Sequence, residues 1–149
     1  MRRGLTPADL GDLFERPLAA TVSLVRSDGT IFSRPVWHRF DGGRFQFELP
    51  AGDRRIGMLE RDPRITVLLA ENEFPYRSIE VRGSARLSRV GYHERGMAIC
   101  RRYLEAYDPD APVEAYLSEE PGAIVEVDAD VTTCWDYADE AMLPPDGTA

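Results

Sequence analysis

From Ala19 to Arg26 polar and apolar side chains alternate: Ala20, Val22 and Leu24 share one face, and Thr21, Ser23 and Val25 the other. A period of two predicts a β-strand. Ser27-Asp28-Gly29 is a turn signal, after which a second strand is predicted from Thr30 to Phe40. Pro35 lies inside it and cannot donate to a ladder, so the position predicts a sheet edge or a bulge. Asp41-Gly42-Gly43 is a second turn. Phe45, Phe47 and Leu49 then line one face of a third strand, opposed by Arg44, Gln46 and Glu48. The period changes after Pro50-Ala51-Gly52. Asp53 is placed to cap a helix that buries Ile56 and Leu59 and closes at Asp62-Pro63. Alternation returns in Arg64 to Ala70 and in a long strand where Ile79, Val81, Ala85 and Leu87 face one way.

The two ends complete the set. Thr6-Pro7, followed by Leu10, Leu13 and Phe14, predicts a short capping helix over residues 5–17, in an N-terminal segment spanning 1–17. Met97, Ile99, Cys100, Tyr103 and Leu104 predict a helix within Val90–Tyr107, and a shorter one follows around Val113–Ser118. A sixth strand runs from Ala123 to Val131 and continues towards Cys134 and Trp135. The tail, residues 141–149 with Pro144-Pro145-Asp146-Gly147, is predicted to be flexible. The 149 residues fit one domain.

Composition narrows the function classes. The net charge is −8, and all 18 basic residues are arginine. Nucleic-acid affinity rests on neutralised phosphates, so an acidic chain predicts no nucleic-acid partner, although a local basic pocket for one small phosphate is compatible with it. With no lysine there is no Schiff-base chemistry on a lysine amine. No apolar run reaches the length of a membrane span, and Met1-Arg2-Arg3-Gly4 has no apolar stretch behind it, so a cytoplasmic location is expected. Cys100 and Cys134 are isolated, in neither a C-x-x-C nor a zinc spacing, and predict reduced, mostly buried thiols rather than a metal site. No G-x-S-x-G, H-E-x-x-H, P-loop or G-x-G-x-x-G motif occurs. No pair of carboxylates is singled out as an acid/base couple, so no catalytic side chain is assigned. An enzyme of this kind takes its chemistry from a bound cofactor.

Three segments are candidates for such a site. Arg54-Arg55 sits at a predicted helix start, where two guanidinium groups beside free N–H groups form a phosphate cradle. The alternative is a solvated pair offset by Asp53. Arg34-Pro35-Val36-Trp37 exposes backbone groups suited to the edge of a planar ring, or else curves the sheet with Trp37 filling core. Tyr76-Arg77 offers an aromatic wall and another anion contact, or simply a strand entry. Trp135 fits either a pocket cover or a subunit contact. His38 alternates with Trp37 and so points to the opposite face, where a structural role is the expectation.

The order Ser27-Asp28-Gly29, Pro35-Val36-Trp37, Asp41-Gly42-Gly43, Arg54-Arg55, Leu59 to Arg64, Pro75-Tyr76-Arg77 and Glu80-Val81-Arg82-Gly83 resembles the split β-barrel flavin and deazaflavin oxidoreductases related to pyridoxamine 5′-phosphate oxidase. Within that family it is most similar to the branch using the deazaflavin F420. The resemblance implies a mainly β fold with flanking helices (α+β), a six-stranded antiparallel split β-barrel like that of FMN-binding proteins. It implies hydride transfer between F420 and a small unsaturated or quinone-like substrate. Arg54 and Arg55 would hold the cofactor phosphate, and Arg34, Pro35, Val36 and Trp37 would flank the ring. The family's homodimers carry clefts between subunits, so Tyr76 and Arg77 would serve across the interface. FMN in the same fold is the first alternative. A non-catalytic binder of a flavin- or haem-type ligand is the second, raised by Asp53 and Met58, which depart from the family pattern. A dimer without cofactor is a further one.

Overall fold

The computed structural model describes residues 4–138; the predicted tail at 141–149 lies outside the described residues. The strands are β1 (Ala20–Val25), β2 (Ile31–Val36), β3 (Arg39–Asp41), β4 (Arg44–Leu49), β5 (Arg64–Ala70), β6 (Arg77–Ser88) and β7 (Ala123–Asp136). Helix α1 (Arg54–Arg61) lies between β4 and β5, and α2 (Tyr92–Tyr107) between β6 and β7. All pairings are antiparallel, in the order β2-β1-β5-β6-β7-β4-β3.

That order fixes the shape. β2 and β3 form opposite edges of the sheet, yet only Trp37 and His38 separate them in sequence. Two residues bridge on the order of 10 Å, so the edges must approach each other and the sheet must curl into a split barrel. Here the expectation of six strands is corrected to seven. The stretch read as one strand from Thr30 to Phe40 breaks at Trp37–His38, because its first half pairs with β1 and its second with β4. Pro35 falls on an edge strand and causes no bulge, since it keeps register opposite Thr21.

The barrel interior is one cluster of buried side chains, including Val22, Leu24, Phe45, Phe47, Val67 and Ile79. The bulge lies elsewhere: between Arg82 and Gly83 the register on β7 skips Asp130. A Cβ on Gly83 would lie 1.9 Å from the Asp128 carbonyl oxygen, so only glycine fits there.

The capping helix predicted over 5–17 is corrected to a single 3-10 turn, Pro7–Leu10, followed by turns. Gly11 at φ +59° ends it. Leu10 and Leu13 are nevertheless fully buried, so the segment plugs the barrel as an irregular cap. The second short helix is likewise a 3-10 turn, Val113–Tyr116. Both cysteines are free and buried. Among the described residues no helix is long and apolar enough to cross a membrane.

Candidate functional site

Edge strand β2 and the start of α1 meet at a cavity of about 440 Å³ lined by Phe32, Arg34, Pro35, Asp53, Arg54 and Arg55. A second cavity, about 140 Å³, continues from it through Pro35 and Arg55 to Val36, Trp37, Glu48, Ile99 and Cys100. The segments around residues 34–37 and 54–55 are therefore brought together, one end cationic and the other aromatic.

The backbone of β2 follows from its ladder. The Arg26 N–H bonds the Thr30 carbonyl at 2.8 Å, which sets the antiparallel phase. Phe32, Arg34 and Val36 then turn their backbone groups to β1, while Ile31, Ser33 and Pro35 turn theirs outward. Two side chains use those outward groups: Arg26 donates to the Ile31 carbonyl at 2.6 Å and Arg34 to the Ser33 carbonyl at 2.7 Å. Pro35 occupies an outward position, where its missing N–H costs no ladder bond.

The two arginines of α1 have different surroundings. Asp53 caps the helix by accepting from the Arg55 backbone N–H at 2.9 Å. The same carboxylate grips the Arg55 guanidinium, from Nε at 2.9 Å and Nη2 at 2.7 Å. These bonds hold the Asp53 carboxyl below its ordinary pKa. Arg54 makes no hydrogen bond or ion pair among the described residues; its guanidinium lies over the Phe32 ring, 5.0 Å from the centroid. Arg34 and Arg26 approach the same ring at 4.5 and 5.3 Å. Three cations around one buried ring make this end of the cavity strongly electropositive.

The aromatic end is built by α2. Trp37 stacks on Tyr103, with ring centroids 5.1 Å apart and planes 6° from parallel. The Tyr103 hydroxyl donates to the Leu18 carbonyl at 2.9 Å, accepts from the His38 backbone N–H at 3.0 Å and meets His38 Nδ1 at 2.7 Å. Arg102 adds bonds to the carbonyls of His38 and Phe14. The crossing between the sheet edges is thus pinned from above, and Trp37 stands as a fixed wall. His38 is fully buried and faces away from Trp37; burial, with Arg102 nearby, lowers its pKa to about 4. Burial raises the Cys100 thiol to about 11, so it is no thiolate nucleophile at neutral pH.

Tyr76 and Arg77 do not line these two cavities. Arg77 is already committed: it donates to Glu71 from Nε at 3.0 Å and Nη2 at 2.5 Å, to Asp12 at 2.7 Å and to the Leu10 carbonyl at 2.9 Å. Tyr76 is 40% exposed and lies edge-on to Phe74 and Tyr137. Trp135 is half-buried on β7 opposite Ser78. Among the described residues no group of three His, Cys, Asp or Glu is placed to hold a metal ion.

Sequence reasoning missed Phe32, Glu48 and Tyr92. Phe32 carried a signal, as an aromatic at alternating spacing from Arg34. Glu48 carried none, because its burial depends on a helix about 50 residues later in the chain.

The family model described as pyridoxamine 5′-phosphate oxidase matches residues 7–135. The chain belongs to that family. Among solved structures it is similar to a conserved hypothetical protein from Mycobacterium tuberculosis, at 20% identity and TM-score 0.76, covering 95% of this chain and 92% of that one. A protein named F420 reductase matches at 24% identity and TM-score 0.64, covering 82% and 94%. A FAD-binding protein from Mesorhizobium loti matches at 12% identity and TM-score 0.63, covering 87% and 94%. At such identities the likeness is one of fold. No curated protein sequence matches the chain.

Proposed function

We propose that the protein is an oxidoreductase that transfers hydride between F420 and a small unsaturated or quinone-like substrate. The observation that carries this reading is Arg54, a cation that makes no hydrogen bond or ion pair among the described residues, held over Phe32 beside the outward edge of Pro35. The likeness to a protein named F420 reductase supports the choice of cofactor. When bound, the deazaflavin supplies a ring that accepts or gives hydride. This chain's own residues bind and orient it. Arg54 and Arg34 hold the phosphate, with Arg55 kept in line by Asp53. Pro35 and Val36 border the ring, and Trp37, braced by Tyr103, walls the reacting space and excludes water. Arg26, 5.3 Å from the centroid of the same Phe32 ring, gives an acidic tail a further partner.

FMN is the second reading, favoured by the compactness of the cationic end, where one phosphate would suffice. A second copy of the chain is proposed to cover the outer face of β1, β2, β5 and β6, where Ile31 is 58% and Leu68 39% exposed. The exposed Tyr76 would serve the partner's site, while Arg77 stays bound to Glu71 and Asp12 within its own subunit. Titration with F420, FMN and haem, followed by fluorescence or absorbance, tests the reading. Tight FMN binding without F420 binding would overturn the deazaflavin assignment, and haem binding alone would overturn both. Sedimentation at micromolar concentration tests the dimer.

A further inference from the structure

Glu48 is the carboxylate lining the 140 Å³ cavity, and the reading above leaves it unused. It lies on β4 beneath α2, where a Cβ added to Gly96 would come within 3.9 Å of the Glu48 Cβ. From that helix the buried Tyr92 hydroxyl donates to Glu48 Oε2 at 2.8 Å. Ser118 Oγ stands 3.2 Å from the same hydroxyl, but it donates its own hydrogen to the Glu120 carbonyl at 2.7 Å. With its hydrogen spent there, Ser118 can only accept from Tyr92, at a longer distance than the 2.8 Å bond from Tyr92 to Glu48. While Oε2 accepts from Tyr92, the oxygen open to carry a proton into the cavity is Oε1, which has no partner among the described residues.

We propose that Glu48 is a catalytic acid of this site, its Oε1 delivering a proton to the oxygen of a conjugated carbonyl substrate held between Trp37 and Arg55, with Tyr92 as its positioning residue. This rests on the oxidoreductase reading. Reduction of such a substrate adds a hydride at carbon and a proton at oxygen, two electrons in all. The hydride is supplied by the reduced deazaflavin or flavin, which loses two electrons. The proton leaves Glu48 Oε1, and the resulting carboxylate regains one from water. Ionisable groups face Glu48 from two sides: Tyr92 and Cys100 from α2, and Arg55 and Asp53 from the start of α1. Burial is the largest influence and raises its pKa, as a group holding a proton nearer neutral pH requires; the Tyr92 bond and Arg55 pull it down, and Asp53 pushes it up.

Glu48→Gln and Tyr92→Phe in the full-length protein test the assignment. The infrared C=O band of protonated Glu48 is followed without cofactor from about pH 8 to about pH 4. Dissociation constants for F420 and FMN, and the pH profile of menadione reduction, follow. Glu48→Gln is expected to lose the acid band, keep cofactor affinity within about threefold, and lower kcat by about 100-fold or more. Tyr92→Phe is expected to move the band and the kinetic limb to higher pH, because the lost bond favoured the carboxylate. If neither cofactor binds, the reading of the site falls and the proton role with it. If a cofactor binds and Glu48→Gln keeps the wild-type rate and profile, the role of Glu48 alone is overturned.

Discussion

Replacing Glu71 with glutamine should destabilise the protein in a way that depends on pH. The Glu71 side chain is 7% exposed and accepts from Arg77 on both oxygens and from Arg16 at 2.5 Å. Bonding by Arg77, against the cost of burial, lowers its pKa from 4.5 to about 2. Each unit of difference between folded and unfolded chains is worth about 1.4 kcal/mol, so the ionised carboxylate contributes about 3 kcal/mol at neutral pH. Arg16 is 41% exposed and partly screened, which brings the loss expected for the variant to about 2–3 kcal/mol. For a chain of this size that corresponds to a fall in Tm of about 5–10 °C. The folded carboxyl is the stronger acid, so its contribution is complete above the unfolded pKa of 4.5 and disappears as pH falls through about 2. Urea unfolding of both proteins at about pH 7 and about pH 3 checks this. The gap should be wide at the higher pH and narrowed to about 40% of that at the lower. Equal stabilities at neutral pH, or a gap unchanged by acid, would refute the argument.

Three further outcomes are expected. Arg54→Ala should weaken cofactor binding by about 10- to 100-fold with little change in Tm, whereas Arg55→Ala should also lower Tm because Asp53 loses its partner; isothermal titration and thermal melts separate them. Gly83→Ala should cost more than about 2 kcal/mol by collision with the Asp128 backbone, while Gly57→Ala in α1, with open space around it, should gain about 0.5–1 kcal/mol in the same urea assay. The His38 imidazole should stay neutral in NMR titration down to about pH 4. Since the unfolded chain binds that proton near pH 6.5, stability should decline as pH drops from 6.5 towards 4.

Much of the barrel was legible because its signals are local. Period-two alternation, turn glycines and the Asp53 cap each act within a few residues, and the strands and α1 appear where those signals stand. Non-local pairing was not legible. Nothing between Thr30 and Phe40 announces that β2 and β3 belong to opposite edges; the break reflects partners contributed by β1 and β4. The N-terminal segment had helical spacing, but Gly11 and burial in the barrel mouth favoured turns. At the site, the Arg54-Arg55 motif was visible, yet its division into one held and one unpaired cation was not. Asp53 grips the Arg55 side chain, a choice of rotamer that sequence does not encode visibly. Glu48 read as an outward residue because it alternates with Phe47, and only the packing of α2 changes its environment.

The place of β7 has a consequence for how the chain folds. This last strand lies between β6 and β4, so it alone joins the four-stranded half β2-β1-β5-β6 to the hairpin β4-β3. Until residues 123–136 are synthesised the two parts have no common ladder, and the edges of β6 and β4 stand open. Folding must therefore wait for long-range contacts made only once β7 is available, a topology that predicts slow, concerted closure. A nascent chain stalled before Ala123 would expose two unpaired sheet edges and would be a substrate for chaperones rather than a folded intermediate.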